Sequence, residues 1–508
     1  MMLAVFTAST FLFASAQVSD TLRKINVEGA ESMRQFSDAT GNVFQTLAGN
    51  ARIRQGSTYM SADSIIINLQ TGIAEGFGNV RINDADTLQT YSQYIKYIGN
   101  ERLAFLKGNV KLTDGKGILL TEDLVYNLQT GIGTYSGGGR LINGTTVLNS
   151  TSAIYYGQTK DVIFKGNVAL NDPKYRINSD SLRYNTEYKI ANFIAPTKIV
   201  SDNGIITTSS GNYNLLTGEA NFGGNPEFRD STRFASGKNI NVDEKSGNIF
   251  VDGNGKIVDS ANKVIIFGEH IKLNKKENTF GATGKPVMVF YENNDSTYIS
   301  ADTLFSATQL LNDSSKTEPN SIRFFKGFRN VKIYNDSAQA VSDSFYYSTL
   351  DSAFRMYQNP LFWNGKTQVS GDTMYLFTKN RQPSKLEVFN NSFVINKPEE
   401  SVYNQISGRT LNAFFIDGAI DNFKVKGTPA QSIFFPQNSD SAYIGMNKNH
   451  SDVIDFIFVN KELKKVKYIN DVEGTLYPME QIPTSEKYLK GFLWQDSKRP
   501  KSKFDLFL

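Results

Sequence analysis

Gly78-Asn79-Val80-Arg81-Ile82 returns thirty residues later as Gly108-Asn109-Val110-Lys111-Leu112, and two periods further on as Gly166-Asn167-Val168-Ala169-Leu170. Gly138-Gly139-Arg140-Leu141-Ile142 fills the skipped slot, and Gly49-Asn50-Ala51-Arg52-Ile53 opens the series one period earlier. A phrase recurring every ~30 residues marks stacked supersecondary units, none of which buries its apolar face alone. Between the copies runs a second column of apolar residues spaced by two. It pairs Ile65 with Ile67, Ile95 with Tyr97, Leu124 with Tyr126, Ile154 with Tyr156 and Leu182 with Tyr184, and continues as Ile240 with Val242, Ile271 with Leu273 and Phe345 with Tyr347. That spacing puts both members on one face of a strand. Each repeat is therefore expected to be two antiparallel strands of about ten residues, bent at internal Gly or Ser-Asp positions. Turn chemistry falls where hairpins need it, at Gln70-Thr71-Gly72, Asp114-Gly115-Lys116-Gly117, Gln129-Thr130-Gly131 and Asn171-Asp172-Pro173. A helical period is nowhere sustained.

Composition agrees with strands: Tyr (24) and Phe (36) are abundant and Pro (13) sparse, which favours the pleated sheet. A net charge of +4 over 508 residues is too small to suggest nucleic acid as a partner. Cysteine is absent, which removes disulfides, zinc-thiolate clusters and Cys-His catalysis together. The apolar run Met1 to Ala16 ends in Ala14-Ser15-Ala16, a small-x-small cleavage pattern, so residues 1–16 are expected to be a signal peptide. Gln17 stands where a lipid-modified Cys would have to be.

Catalytic chemistry finds little footing. The two histidines, His270 and His450, lie in polar settings, and there is no Gly-x-Ser-x-Gly elbow or phosphate-cradling loop. No catalytic residue, metal or cofactor is expected. Asp63, Asp180, Asp302, Asp343 and Asp372 recur near strand entries. A calcium β-roll would repeat at about nine residues with paired glycines, which is not this pattern, so these carboxylates are expected to cap turns.

The beat drifts but persists in Gly224-Asn225-Pro226, Gly284-Lys285-Pro286, Asn330-Val331 and Asn359-Pro360. Polar insertions stretch two intervals, giving repeats over 17–305, an inserted loop at 306–321, further repeats over 322–478 and a basic tail at 479–508. The run Lys498-Arg499-Pro500-Lys501-Ser502-Lys503 is expected to be a solvated end, although Phe492, Trp494, Phe504 and Leu506 beside it favour docking.

The stretch Gly49-Asn50-Ala51-Arg52-Ile53-Arg54-Gln55-Gly56-Ser57-Thr58-Tyr59-Met60-Ser61-Ala62-Asp63-Ser64, echoed at Gly108 to Tyr126 and Gly166 to Tyr184, resembles the OstA/LptA family of lipopolysaccharide-transport proteins. The resemblance implies an elongated, taco-like antiparallel β-jellyroll built from the tandem repeats. It implies a periplasmic bridge carrying lipopolysaccharide between inner and outer membranes, its interior holding the acyl chains. It also implies edge-strand contacts with inner- and outer-membrane components, with end-to-end self-association and outer-membrane association as further expectations. The chain is several times longer than one bridging unit, which points to a fused, multi-unit bridge.

The residues expected to line that interior are Val80, Ile82, Ile95, Tyr97, Val110, Leu112, Leu124, Tyr126, Val168, Leu170, Leu182 and Tyr184. Alternating apolar residues also fill closed cores. Two rival readings therefore stand beside the lipid groove: a structural or adhesive β-solenoid with a closed core, and a carbohydrate-active β-helix whose carboxylates converge in a cleft.

Overall fold

The computed structural model describes residues 24–84, 88–292, 295–311, 320–379, 382–416, 419–459 and 462–508, so the expected signal peptide lies outside the described residues. The described chain is strand after strand as far as Pro478, with 3-10 turns at Met479–Gln481, Thr484–Glu486, Asp496–Lys498 and Lys503–Leu506. It divides into two compact units, one running to Asn203 and including Ser209–Leu216, the other comprising Gly204–Thr208 and Thr217–Leu508. The polar insertion at 306–321 falls inside the second unit, where residues 312–319 are outside the described set.

In the first unit, Val43–Gln55, Thr58–Asn68, Ile73–Asp84, Leu88–Ile98, Leu103–Thr113 and Ile118–Asn127 pair in succession, each antiparallel to the one before. In the second, Gln382–Glu399, Val402–Ile416, Ala419–Phe434 and Gly445–Val459 do the same.

The Gly-Asn step of each repeat is a β-bulge. Gly78 and Asn79 both take left-handed backbone conformations (φ 70° and 47°), as do Gly108-Asn109 and Gly166-Asn167. Two residues there oppose one on the neighbouring strand, so the register shifts between Phe77 and Val80, Lys107 and Val110, and Lys165 and Val168. Glycine and asparagine are the residues that tolerate this backbone most readily, and a bulge bends the strand that carries it. At Gly78 a Cβ would also overlap the Asp63 carboxylate. Where the sequence has drifted the geometry holds: Arg329-Asn330, Gln358-Asn359 and Asn390-Asn391 are again left-handed pairs.

Three of the five recurring aspartates, Asp63, Asp302 and Asp372, bind the asparagines of these bulges. Asn79 Nδ2 donates to both carboxylate oxygens of Asp63 at 3.2 and 3.0 Å, Asn330 does so to Asp302, and Asn391 to Asp372.

Each bulged strand is thus folded at its bulge into two halves, the strand paired with it bends opposite the bulge, and the halves form two walls meeting at a crease. Ala74 and Gly76 are buried before the bend and Val80 and Ile82 after it. On the neighbouring strand Leu88, Thr90 and Ser92 are buried on one side and Ile95 and Tyr97 on the other. The inward period of two holds within each half: the bulged strand keeps its phase from Gly76 to Val80, while the strand opposite slips by one residue between Ser92 and Ile95.

Two expectations need correction. In the repeat at Ser152–Tyr156 the inward pair is Ala153 and Tyr155, not Ile154 and Tyr156, because the strand restarts after Thr151 in a register that pairs Ala153 with Phe164 and Tyr155 with Val162, both buried. The C-terminal segment is docked and not a free end, although Lys498, Lys501 and Lys503 of its basic run stay exposed. Leu489 and Leu506 are buried, and Phe492 and Trp494 pack against Phe393, Ile395 and Met446 of the second unit.

Candidate lipid-binding interior

All twelve residues expected to line the interior are buried in the first unit, at 0–5% exposure. They fall on the two walls as the bulges dictate. Val80, Ile82, Val110, Leu112, Val168 and Leu170 follow a bulge and occupy one wall; Ile95, Tyr97, Leu124, Tyr126, Leu182 and Tyr184 occupy the other.

The second wall carries a series the sequence reading only partly saw. Tyr97, Tyr126, Tyr155, Tyr184 and Tyr213 stand 29 residues apart and are all buried. The constant interval was the available signal, and the misplaced register at Tyr155 hid it. Burial pushes the phenols of Tyr126 and Tyr184 up to about 12, and raises Tyr97 and Tyr155 too, so at neutral pH these rings are uncharged.

Opposite the crease, the free rims of the walls meet through polar contacts. Gln55 Nε2 donates to Gly99 O at 3.2 Å, while its Oε1 accepts from the Tyr97 hydroxyl. Arg102 donates to Thr58 Oγ1 at 3.2 Å. Asp114 faces Lys160 Nζ at 3.6 Å and Tyr155 Oη at 3.4 Å, and Asn143 Nδ2 donates to Thr186 O at 2.7 Å. Lys116 and Glu187 complete the series at 2.9 Å. A cavity of about 20 Å³ lies behind this rim, between Leu88, Leu112, Leu141, Tyr155 and Val162. That is room for a water molecule.

Burial works against the Asp114 charge, but backbone N–H groups of Gly117 and Lys116 and the Lys160 ammonium outweigh it, leaving its carboxyl below the ordinary value. A depressed folded value stabilises the rim at pH above the unfolded value and is lost as pH falls through the folded one. Below about pH 4, where free aspartate titrates, the amides of Gly115 to Gly117 are expected to exchange faster with solvent. Asp114→Asn should remove that pH dependence.

His270 Nδ1 touches Asp252 at 2.8 Å and His450 Nε2 lies 3.5 Å from Glu473, each an isolated surface pair. Among the described residues, no three His, Asp or Glu side chains gather as a metal site would require, and no helix is long and apolar enough to cross a membrane.

Residues 22–180 match the family described as OstA-like protein, and residues 148–279 match the LptA/(LptD N-terminal domain) LPS transport protein family. The chain belongs to the OstA/LptA family. The family residues cover the bulged repeats and the buried walls of the first unit and reach Thr279 in the second. No curated protein matches. Among solved structures, the chain is similar to LptH of Pseudomonas aeruginosa, the LptA-homologous periplasmic component of the lipopolysaccharide transport device. The identity is 14%, the match covers 34% of this chain and 84% of that one, and the TM-score is 0.11.

Proposed function

We propose that this OstA/LptA-family chain is a periplasmic bridge that passes lipopolysaccharide between membranes, with acyl chains held between the two walls. The observation that carries this reading is the contrast between the two edges of the interior. Along the crease the walls are joined by continuous strands; along the rim they are joined by single hydrogen bonds, each worth about 0.5–1.5 kcal/mol net, and by solvent-screened ion pairs that add little. Parting the rim is therefore the low-cost way into the apolar space. The exposed apolar faces are then covered by acyl chain, at roughly 0.8 kcal/mol per buried methylene. Passing a chain from one repeat to the next exchanges like contacts for like and needs no catalysis.

The near-complete burial of the lining favours a second reading, a structural β-solenoid with a permanently closed core. A photo-crosslinking residue at Tyr126 or Leu182 separates the two. Adducts with lipopolysaccharide are expected in cells. If no inward position yields them while a control member of the pathway does, the transport reading falls and the closed core stands.

A further inference from the structure

The C-terminal segment makes an ordered series of contacts on the second unit. Lys448 pairs with Glu486 at 2.6 Å. Gln405 Nε2 donates to Lys487 O at 2.9 Å, and its Oε1 accepts from Leu489 N–H at 2.8 Å. Gln368 repeats the arrangement, donating to Leu493 O and accepting from Gln495 N–H, both at 2.8 Å. Gln339 Oε1 accepts from Arg499 Nε at 2.7 Å, and Lys332 Nζ donates to Asp505 O at 3.2 Å.

Strand register explains the order. Val289, Tyr298, Tyr334, Gln339, Trp363, Gln368, Ile395, Gln405, Ile433 and Lys448 are successive partners across neighbouring strands. The segment follows this row and so crosses the strands. A glutamine stands on every second strand from Gln339 to Gln405, which is a spacing of roughly 10 Å. The contacts on the segment recur every six residues, at 487, 493, 499 and 505. Six residues in ~10 Å is far shorter than extended chain, and the 3-10 turns at Asp496–Lys498 and Lys503–Leu506 take up the excess.

The row lies on the outer side of the wall. Met288, Ile299, Phe362 and Val394 continue the inward period, so the alternating neighbours Val289, Trp363, Gln368 and Ile395 point outward. These outward side chains are nonetheless buried, and Gln339, Gln368 and Gln405 are 4%, 1% and 0% exposed. Leu489, Phe492 and Trp494 cover one end of the row, and Leu506 packs on Val287 and Val289 at the other. The first-unit counterpart Tyr59 on the outer face is 48% exposed.

We propose that residues 486–507 are a brace: a belt clamped by the carboxamides of Gln405 and Gln368 and by Gln339, which holds this wall of the second unit stiff. Resting on the transport reading, it follows that the second unit opens by movement of its other wall, formed in part by Ala353–Tyr357 and Thr373–Lys379. The two carboxamide clamps take the place of a neighbouring strand's peptide group, satisfying one carbonyl and one N–H of the belt each.

Hydrogen exchange on the full chain and on the double variant Gln368→Leu/Gln405→Leu, which keeps side-chain bulk and removes both clamps, is the test. Without lipid, amides of Thr367–Ser370 and residues 393–396 should exchange several-fold faster in the variant, with Leu103–Thr113 of the first unit unchanged. Equal exchange in the two proteins overturns the brace. Should the double variant not fold, Gln405→Leu alone carries the comparison. With lipopolysaccharide micelles added to the full chain, exchange should rise in Ala353–Tyr357 and Thr373–Lys379 and stay constant in the braced wall. An equal rise in both walls overturns the assignment of movement. The cross-link at Tyr126 reports separately on lipid entry, so its failure counts against transport while the lipid-free arm still decides the brace.

Discussion

Leu182→Asp is expected to unfold the first unit. Leu182 is fully buried, with Phe164 and Phe193 as its partners on the neighbouring strands. An aspartate there has no cation within the apolar wall, and an unpaired buried charge costs several kcal/mol even after relaxation. That is comparable with the roughly 5–15 kcal/mol by which a whole domain is stable. The less severe Leu182→Ala should cost about 2–5 kcal/mol, while Leu182→Met, which keeps volume, should cost less than about 1.5 kcal/mol. Urea unfolding followed by circular dichroism measures all three. Because repeats chiefly contact their neighbours, the second unit should keep its own transition in each variant. A single transition that shifts as a whole would mean that the two units unfold as one cooperative body.

The same residue illustrates what sequence made legible. Leu182 and Tyr184 are two apart, and so are Val168 and Leu170; that spacing alone placed each pair on one side of a strand, and all four are buried. The bulge was visible as Gly-Asn because few residues tolerate consecutive left-handed backbone. It remained visible at Asn330 and Asn359 after the glycine had gone. Its partner was less plain: Asp63 looked like a turn cap, and only the cross-strand register shows that it receives the bulge asparagine.

Other features had no local signal. Tyr155 and Tyr156 are adjacent and equally apolar, so composition could not decide which faces inward; the restart of the strand after Thr151 did. The brace lay further out of reach. Gln339, Gln368 and Gln405 are polar residues at outward positions of strands, which ordinarily means solvent. They are buried because a segment up to about 160 residues distant in sequence lies on them. The rim contacts are similarly non-local, joining residues more than forty apart such as Gln55 with Gly99 and Asn143 with Thr186.

Those rim contacts lead to the second large effect. Replacing Asp114 and Lys160 by cysteine and joining them with a short bis-maleimide should abolish lipopolysaccharide adducts at Tyr126 while leaving the fold intact. The two residues sit on opposite rims, 3.6 Å apart through their charged ends, so a short covalent link ties the walls without displacing either. The native chain has no cysteine to compete for the reagent. The ion pair itself contributes little, since the Lys160 side chain is 31% exposed and partly screened by solvent; losing Asp114 also frees the Lys116 and Gly117 N–H groups, so the unlinked double-cysteine protein is the reference for the linked one. What the link changes is the range of motion. If acyl chains enter by parting the rim, the linked protein excludes them and the unlinked double-cysteine protein admits them. If they enter at the end of the stack, where Ser32–Ser37 is exposed along its length, the link leaves labelling at Tyr126 intact. Equal labelling in linked and unlinked proteins would therefore reject rim opening and move the point of entry to the terminal strands.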